Sequence, residues 1–244
     1  MTTQELIDTV CPKVRDLGWA YYFDAETVAV GEALGLDVFH FYVLGRGGVL
    51  GDVEPEVVAS AFGYFNPTMV ELLWNEGRAI LAPREAARVY WSCAADLGRA
   101  RFSELPGLDA YCEAAGAVND AADSVALPLF AGFHAEGLVE DLPGRAMQLT
   151  AILREFRGSA HLLAVRASGL DARTAHFVKR PGDAAMFGWS EDDPPAIGPD
   201  EIEAMDGAEQ LTDELVAPAY GVLDETGRQA LVEGIDRIEA ALVP

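Results

Sequence analysis

The sequence predicts a mainly α fold, and three observations carry that prediction. Apolar residues recur at the 3.6-residue spacing of amphipathic helices along most of the chain. Strand signals are scarce and short, and one helix, turn and helix pattern occurs twice. Together they predict two winged-helix or helix-turn-helix-like lobes packed around a central helical layer, with one or two short β-ribbons. The expected division is an N-terminal lobe over 1–82, a central helical region over 83–142 and a C-terminal lobe over 143–244.

Taken in order, helices are expected at 4–18, 25–34, 36–45, 55–64 and 67–76 in the first lobe and at 83–101 and 108–126 in the centre. The last lobe is expected to hold helices at 143–168, 171–180, 199–206 and 226–242. Pro55, Pro67 and Pro83 stand at first-turn positions, where the missing N–H leaves no bond unmade, and Gly18, Gly35, Gly77 and Gly169 stand where glycine ends helices. The β-ribbon candidates are near Ala184–Phe187 and Gly221–Leu223. The glycine-rich run Gly45–Gly51 follows a helix and lacks the GKS/GKT of a phosphate loop, so it reads as a turn into a wing. Trp189–Asp200, rich in acids and prolines, reads as an exposed loop.

The repeat aligns Val30–Asp37 with Ala164–Asp171 and continues without a gap, pairing Arg46 with Arg180 and Gly48 with Gly182. Each copy has a helix, a Gly-Leu-Asp turn and a second helix, with Asp37 and Asp171 placed to cap the second helix through their carboxylates.

Half of the 244 residues are hydrophobic and 23% are charged, so there is ample apolar material for a core and disorder is not expected. No apolar run approaches the roughly 20 residues of a membrane span, and the first ten residues are polar and acidic, unlike a secretory signal. Three cysteines without a CxxC pair suit reduced thiols, hence a cytoplasmic setting and no membrane partner. The net charge of −23 disfavours nucleic acid as a partner, but the charge is uneven. Seven cations against two acids over 145–180 make a local +5, whereas sixteen acids against two arginines from 183 onward make −14.

Seven short stretches bear a resemblance to known families. Leu153–His161 followed by Ala167–Asp171 resembles an actinobacterial helix-turn-helix family, as do Tyr22-Phe23, Phe41–Arg46, Phe62–Val70 and Phe187–Ser190. Gly221–Arg228 resembles the leaving edge of a wing in MarR-like winged-helix proteins. The chain departs from the family at Phe156, where members carry a His ahead of Arg-Gly. The resemblance implies a helical scaffold and says little about chemistry.

Candidate chemistry rests on three constellations. Thr150, Arg154, Arg157 and His161 fall on one face of the 143–168 helix, where guanidinium forks suit a carboxylate or phosphate; a solvated stripe, or pairing with the many acids, is the plainer alternative. Arg173, His176, Lys179 and Arg180 lie on the second helix of the C-terminal repeat, the position from which a recognition helix reaches DNA. Aromatics crowd the first lobe, where Tyr42, Arg46, Tyr64, Phe65, Asn66 and Trp74 are candidates for a pocket wall, or simply core. The four histidines show no HxH or HExxH spacing, so no metal ligands are assigned, and the cofactor is unknown, with a single-His haem or iron site left open.

The leading expectation is therefore binding of a small aromatic or anionic molecule in an inter-lobe cleft, with Arg154, Arg157 and His161 on the anion. A ligand-responsive transcription regulator and a biosynthetic enzyme using the same cleft are the alternatives, and a homodimer is left open.

Overall fold

A computed structural model describes residues 1–242, and Val243 and Pro244, the end of the third expected unit, lie outside the described residues. The helices are α1 (Thr3–Leu17), α2 (Ala25–Ala33), α3 (Val38–Gly47), α4 (Pro55–Phe62), α5 (Pro67–Arg78) and α6 (Pro83–Phe102). They continue as α7 (Leu108–Ala121), α8 (Pro128–His134), α9 (Leu142–Ala167), α10 (Ala172–Lys179), α11 (Pro199–Tyr220) and α12 (Glu225–Leu242). Short 3-10 helices span Gly48–Leu50 and Pro181–Phe187.

The architecture is built on α9. Asp141 starts it by accepting the Gly144 N–H at 3.0 Å, and its 26 residues run for about 39 Å. Every residue from Ala146 to Leu153 is buried, because α1, α6, α7, α8 and α11 all pack against α9. A helix enclosed on all sides must satisfy its polar side chains internally. Gln148 accepts the Val139 N–H at 3.0 Å, and Thr150 donates to the Ala146 carbonyl at 2.7 Å while bonding the Tyr111 hydroxyl at 2.6 Å. Around this axis α3 packs on α5 and α6, and α12 packs on α1 and α7. The main core draws on residues from Leu6 to Ile238, and a smaller cluster joins Ala164 and Val165 to Leu170, Ala175, Met205 and Ala208.

The two Gly-Leu-Asp turns adopt the same local geometry. Gly35 and Gly169 take left-handed φ of 82° and 85°, a region that favours glycine. Leu36 and Leu170 are buried, and Asp37 and Asp171 cap α3 and α10 by accepting backbone N–H groups at 2.8–3.0 Å. The second helices then differ. Residues 41–47 of α3 are all buried, whereas α10 is shorter and lies at the edge of the molecule.

No strand occurs among the described residues, so the expected β-ribbons and wings are not there. Ala184–Phe187 belongs to the 3-10 helix, which ends at Gly188 with φ 78°. Gly221–Leu223 is the turn between α11 and α12, where Asp224 accepts the Gly227 N–H at 2.8 Å and starts α12; the MarR-like wing is a helix start. The run Gly45–Gly51 completes α3 and the first 3-10 helix instead of turning into a wing. Helix α8 is missing from the sequence expectation, and α11 runs through Gly207 and Pro218 to Tyr220, far past residue 206. Among the described residues no single helix is long and apolar enough to cross a membrane.

Backbone proximity fixes the α3–α6 contact. A Cβ on Gly48 would lie 2.1 Å from the Pro83 carbonyl oxygen, an atom that cannot swing away. Gly48→Ala is expected to destabilise the fold by about 1–3 kcal/mol through overpacking. Gly116, inside α7 with nothing near it, gives the opposite sign: Gly116→Ala should stabilise by about 0.5–1 kcal/mol. Urea unfolding of both variants, read as midpoint shifts in opposite directions, checks the pair.

Candidate functional site

A cavity of about 140 Å³ opens where α3, α4, α9, α10 and α11 approach one another. Its apolar wall is built by Tyr42 from α3, Phe62 from α4, Tyr64 and Phe65 from the turn that follows, and Phe187 from the second 3-10 helix. Its polar wall holds six cations: Arg15, Arg46, Arg154, Arg157, Lys179 and Arg180. In a chain of net charge −23 this is a strong local reversal.

The floor is an ionic cluster around Glu155, whose side chain is 1% exposed. Arg46 donates to both carboxylate oxygens, Nε to Oε1 at 3.0 Å and Nη2 to Oε2 at 2.8 Å, the bidentate arrangement of the guanidinium fork. Tyr22 donates its hydroxyl to Oε1 at 2.5 Å, and Arg154 Nη1 donates to the same oxygen at 2.8 Å. Arg46 also donates to the Tyr42 hydroxyl at 3.2 Å and lies over the Phe62 ring, 4.6 Å from its centroid. Burial pushes the Glu155 carboxyl upward, but Arg46 and Arg154 outweigh it and hold the group below the usual carboxylate range. Two guanidiniums share one carboxylate, so the floor carries a surplus positive charge. Arg154 Nε is buried and has no partner.

The opposite side is organised by Glu209 of α11. It accepts from Arg157 Nη2 at 2.8 Å and from Lys179 Nζ, while His161 Nε2 stands 3.9 Å from its Oε1. Burial pushes Glu209 up, yet Lys179, His161 and Arg157 bring its carboxyl down to about 2. His161 Nδ1 lies 2.9 Å from Thr212 Oγ1. Burial, reinforced by Arg157, Lys179 and Arg15, lowers the His161 imidazole to about 4 against the opposing pull of Glu209. The ring stacks on Tyr64, with centroids 6.1 Å apart and planes at 23°. The Tyr64 hydroxyl and Arg157 Nε are buried without partners.

Of the ligand-wall residues expected from the sequence, Tyr42, Arg46, Tyr64, Phe65, Arg154, Arg157 and His161 line this one cavity. Trp74 does not: it is fully buried between α3 and α5 and donates Nε1–H to the Val53 carbonyl at 3.0 Å. Asn66 also stands outside the wall. It caps α5 through the Thr68 N–H and donates Nδ2–H to the Gly188 carbonyl at 2.8 Å, which pins Phe187 over Phe65 with centroids 4.3 Å apart. Thr150 is buried against Tyr111, away from the stripe's other three members.

The cations expected to meet DNA are placed differently. Lys179 and Arg180 line the cavity, and Arg173 pairs with Asp193 at 2.9 Å. His176 is fully buried, its ring 4.6 Å from that of Phe187, and burial lowers its pKa. It presents no ring nitrogen to an outside partner. Arg15, Phe62, Phe187 and Glu209 were not among the expected wall residues, and only Glu155, an acid set among Ala151, Ile152 and Phe156 on a helix, left a signal in the sequence.

Two outcomes follow for the site. Glu155→Gln leaves both guanidiniums buried short of a counter-charge and is expected to cost about 3–5 kcal/mol in denaturant unfolding. His161 is held below its unfolded-state value near 6.5, so its contribution is complete above pH 6.5 and is lost as pH falls toward 4. His40, raised by Glu76 and Asp37 against burial, works in the opposite sense, so the comparison must be with a His161 variant. The stability gap between the wild type and His161→Gln should narrow by about 2 kcal/mol from pH 7 to pH 5. A constant gap would contradict the neutral assignment.

Comparison with known proteins gives one match. The model of a helix-turn-helix family covers residues 9–244. No curated protein and no solved structure matches the chain. With nearly its whole length matched, the chain belongs to this helix-turn-helix family.

Proposed function

We propose that the protein binds a small organic anion in the cavity between α3, α4, α9, α10 and α11. One observation carries this reading: six cations converge on an aromatic-walled cavity whose neighbouring carboxylates, Glu155, Glu209 and the Asp16 that pairs with Arg15 at 2.7 Å, are too few to balance them. The aromatic wall suits an apolar body attached to the acidic group. A cytoplasmic setting goes with the proposal, the three cysteines being free and buried.

Membership of a helix-turn-helix family favours a second reading, a regulator that contacts DNA through α10. On that reading Arg173, Lys179 and Arg180 would carry the phosphate contacts, after release of Arg173 from Asp193 and Lys179 from Glu209.

Isothermal titration with benzoate and with inorganic phosphate at pH 7 tests the first reading. Benzoate is expected to bind, and Arg154→Ala combined with Arg157→Ala is expected to weaken it tenfold or more. Lys179→Ala, which leaves the core untouched, should weaken it several-fold. Unchanged affinity in both variants would refute the proposal. A gel shift with a mixed-sequence duplex at low salt tests the second: no shift where phosphate contacts are strongest rules it out.

A further inference from the structure

We infer, resting on the anion-binding reading above, that the ligand is a single-ring aromatic acid carrying a hydroxyl group, and that His161 Nε2 receives the hydroxyl proton. Thr212 fixes the tautomer of His161. Its one hydroxyl proton is committed to the Ala208 carbonyl, 2.6 Å away. Thr212 Oγ1 can therefore only accept from His161, so the proton of the neutral imidazole sits on Nδ1 and donates across 2.9 Å. That leaves a lone pair on Nε2, which has no hydrogen-bond partner; its neighbour Glu209 Oε1, at 3.9 Å, is an acceptor itself.

An unmet acceptor in a cavity otherwise lined by cationic donors is a demand for a donor on the ligand. The Tyr64 ring stacks on the imidazole with centroids 6.1 Å apart, and its hydroxyl is buried away from the cavity space. A hydroxyl group meets this acceptor by donating to Nε2, whereas an ether or a second carboxylate has no proton to give. The cavity size selects the body. About 140 Å³ is close to the volume of an apolar cavity that holds one benzene ring, and the cavity is open on one side, where ring substituents can extend. Phe62, Phe65 and Phe187 flank that space, and Arg157, Lys179 and Arg180 stand at its polar side for the acidic group. The low basicity of the imidazole agrees with a hydrogen-bond acceptor and is poorly matched to proton abstraction at neutral pH.

The experiment is a calorimetric comparison of benzoate with its three monohydroxy isomers at pH 7.5. At least one hydroxybenzoate is expected to bind tenfold or more tightly than benzoate. In His161→Phe, which keeps the ring stack and removes the nitrogens, that preference should fall below about twofold while benzoate binding persists. Equal affinity for all four acids in the wild type, or a preference that survives His161→Phe, overturns the inference. Binding of none of the four overturns the anion-binding reading itself. Should His161→Phe fail to fold, the wild-type series still decides. Long-range proton–nitrogen correlation spectra supply an independent check: a His161 proton found on Nε2 instead of Nδ1 refutes the tautomer and the inference with it.

Discussion

The buried carboxylate of Glu155 is the interaction on which the rest of the molecule depends. Moving an ion out of water costs several kcal/mol unless geometry and hydrogen bonding are complete, and here three side chains from three segments complete it. Tyr22 comes from the connection between α1 and α2, Arg46 from the last turn of α3, and Arg154 from α9 itself. Tyr22 and Arg46 thereby fix where their segments can lie against α9. The same bonds leave two guanidiniums around one negative charge, so the condition that assembles the fold also makes the floor of the cavity positive. Stability and the charge of the cavity floor are one electrostatic arrangement at this point.

Aromatic rings make that arrangement tolerable. Tyr22 packs against Tyr21, Phe23, Tyr42 and Tyr90 with centroid distances of 4.8–6.4 Å, in edge-on and tilted geometries. Guanidinium groups lose less than ammonium groups on leaving water and stack on ring faces, which suits Arg46 over Phe62 and Arg154 over Tyr22, 5.0 Å from its centroid. A lysine at position 46 could neither bridge both carboxylate oxygens nor lie flat on the ring. The crowding of aromatics in the first third of the chain is thus both core and cavity wall, and Tyr42 serves in each.

Local chemistry explains what the sequence made legible. Proline and glycine punctuation, and carboxylates at helix starts, located most helices, because these signals act over a few residues. The Gly-Leu-Asp turns were readable for the same reason, as was the placing of Arg154, Arg157 and His161 on one face of α9. What the sequence hid depends on distant partners. Glu209 is one of sixteen acids after residue 182, and nothing within its own helix distinguishes it until α10 and α9 bring Lys179 and Arg157 to it. His176 looked exposed because it shares a helical face with Arg173 and Arg180; the unforeseen 3-10 helix, bringing Phe187, covers that face. Trp74 and Asn66 were named for their chemistry, yet their polar atoms are committed to Val53 and to the segment around Gly188.

Charge then decides how the two readings of function relate. The basic segment 145–180 is not a free positive surface. Arg154, Arg157, Lys179 and Arg180 face the cavity, Arg145 and Arg166 donate to the carbonyls of Val139 and Leu170, and Arg173 is held by Asp193. The acidic segment that follows supplies counter-ions for this set, through Glu209 and Asp193, as well as repelling phosphate at long range. Lys179 and Arg180 belong to both the cavity and the face that DNA would meet. An anion held by them in the cavity and a phosphate backbone would therefore compete for the same two cations. By linkage each would weaken the other to the same degree, so a protein that did both would couple ligand binding to DNA contact.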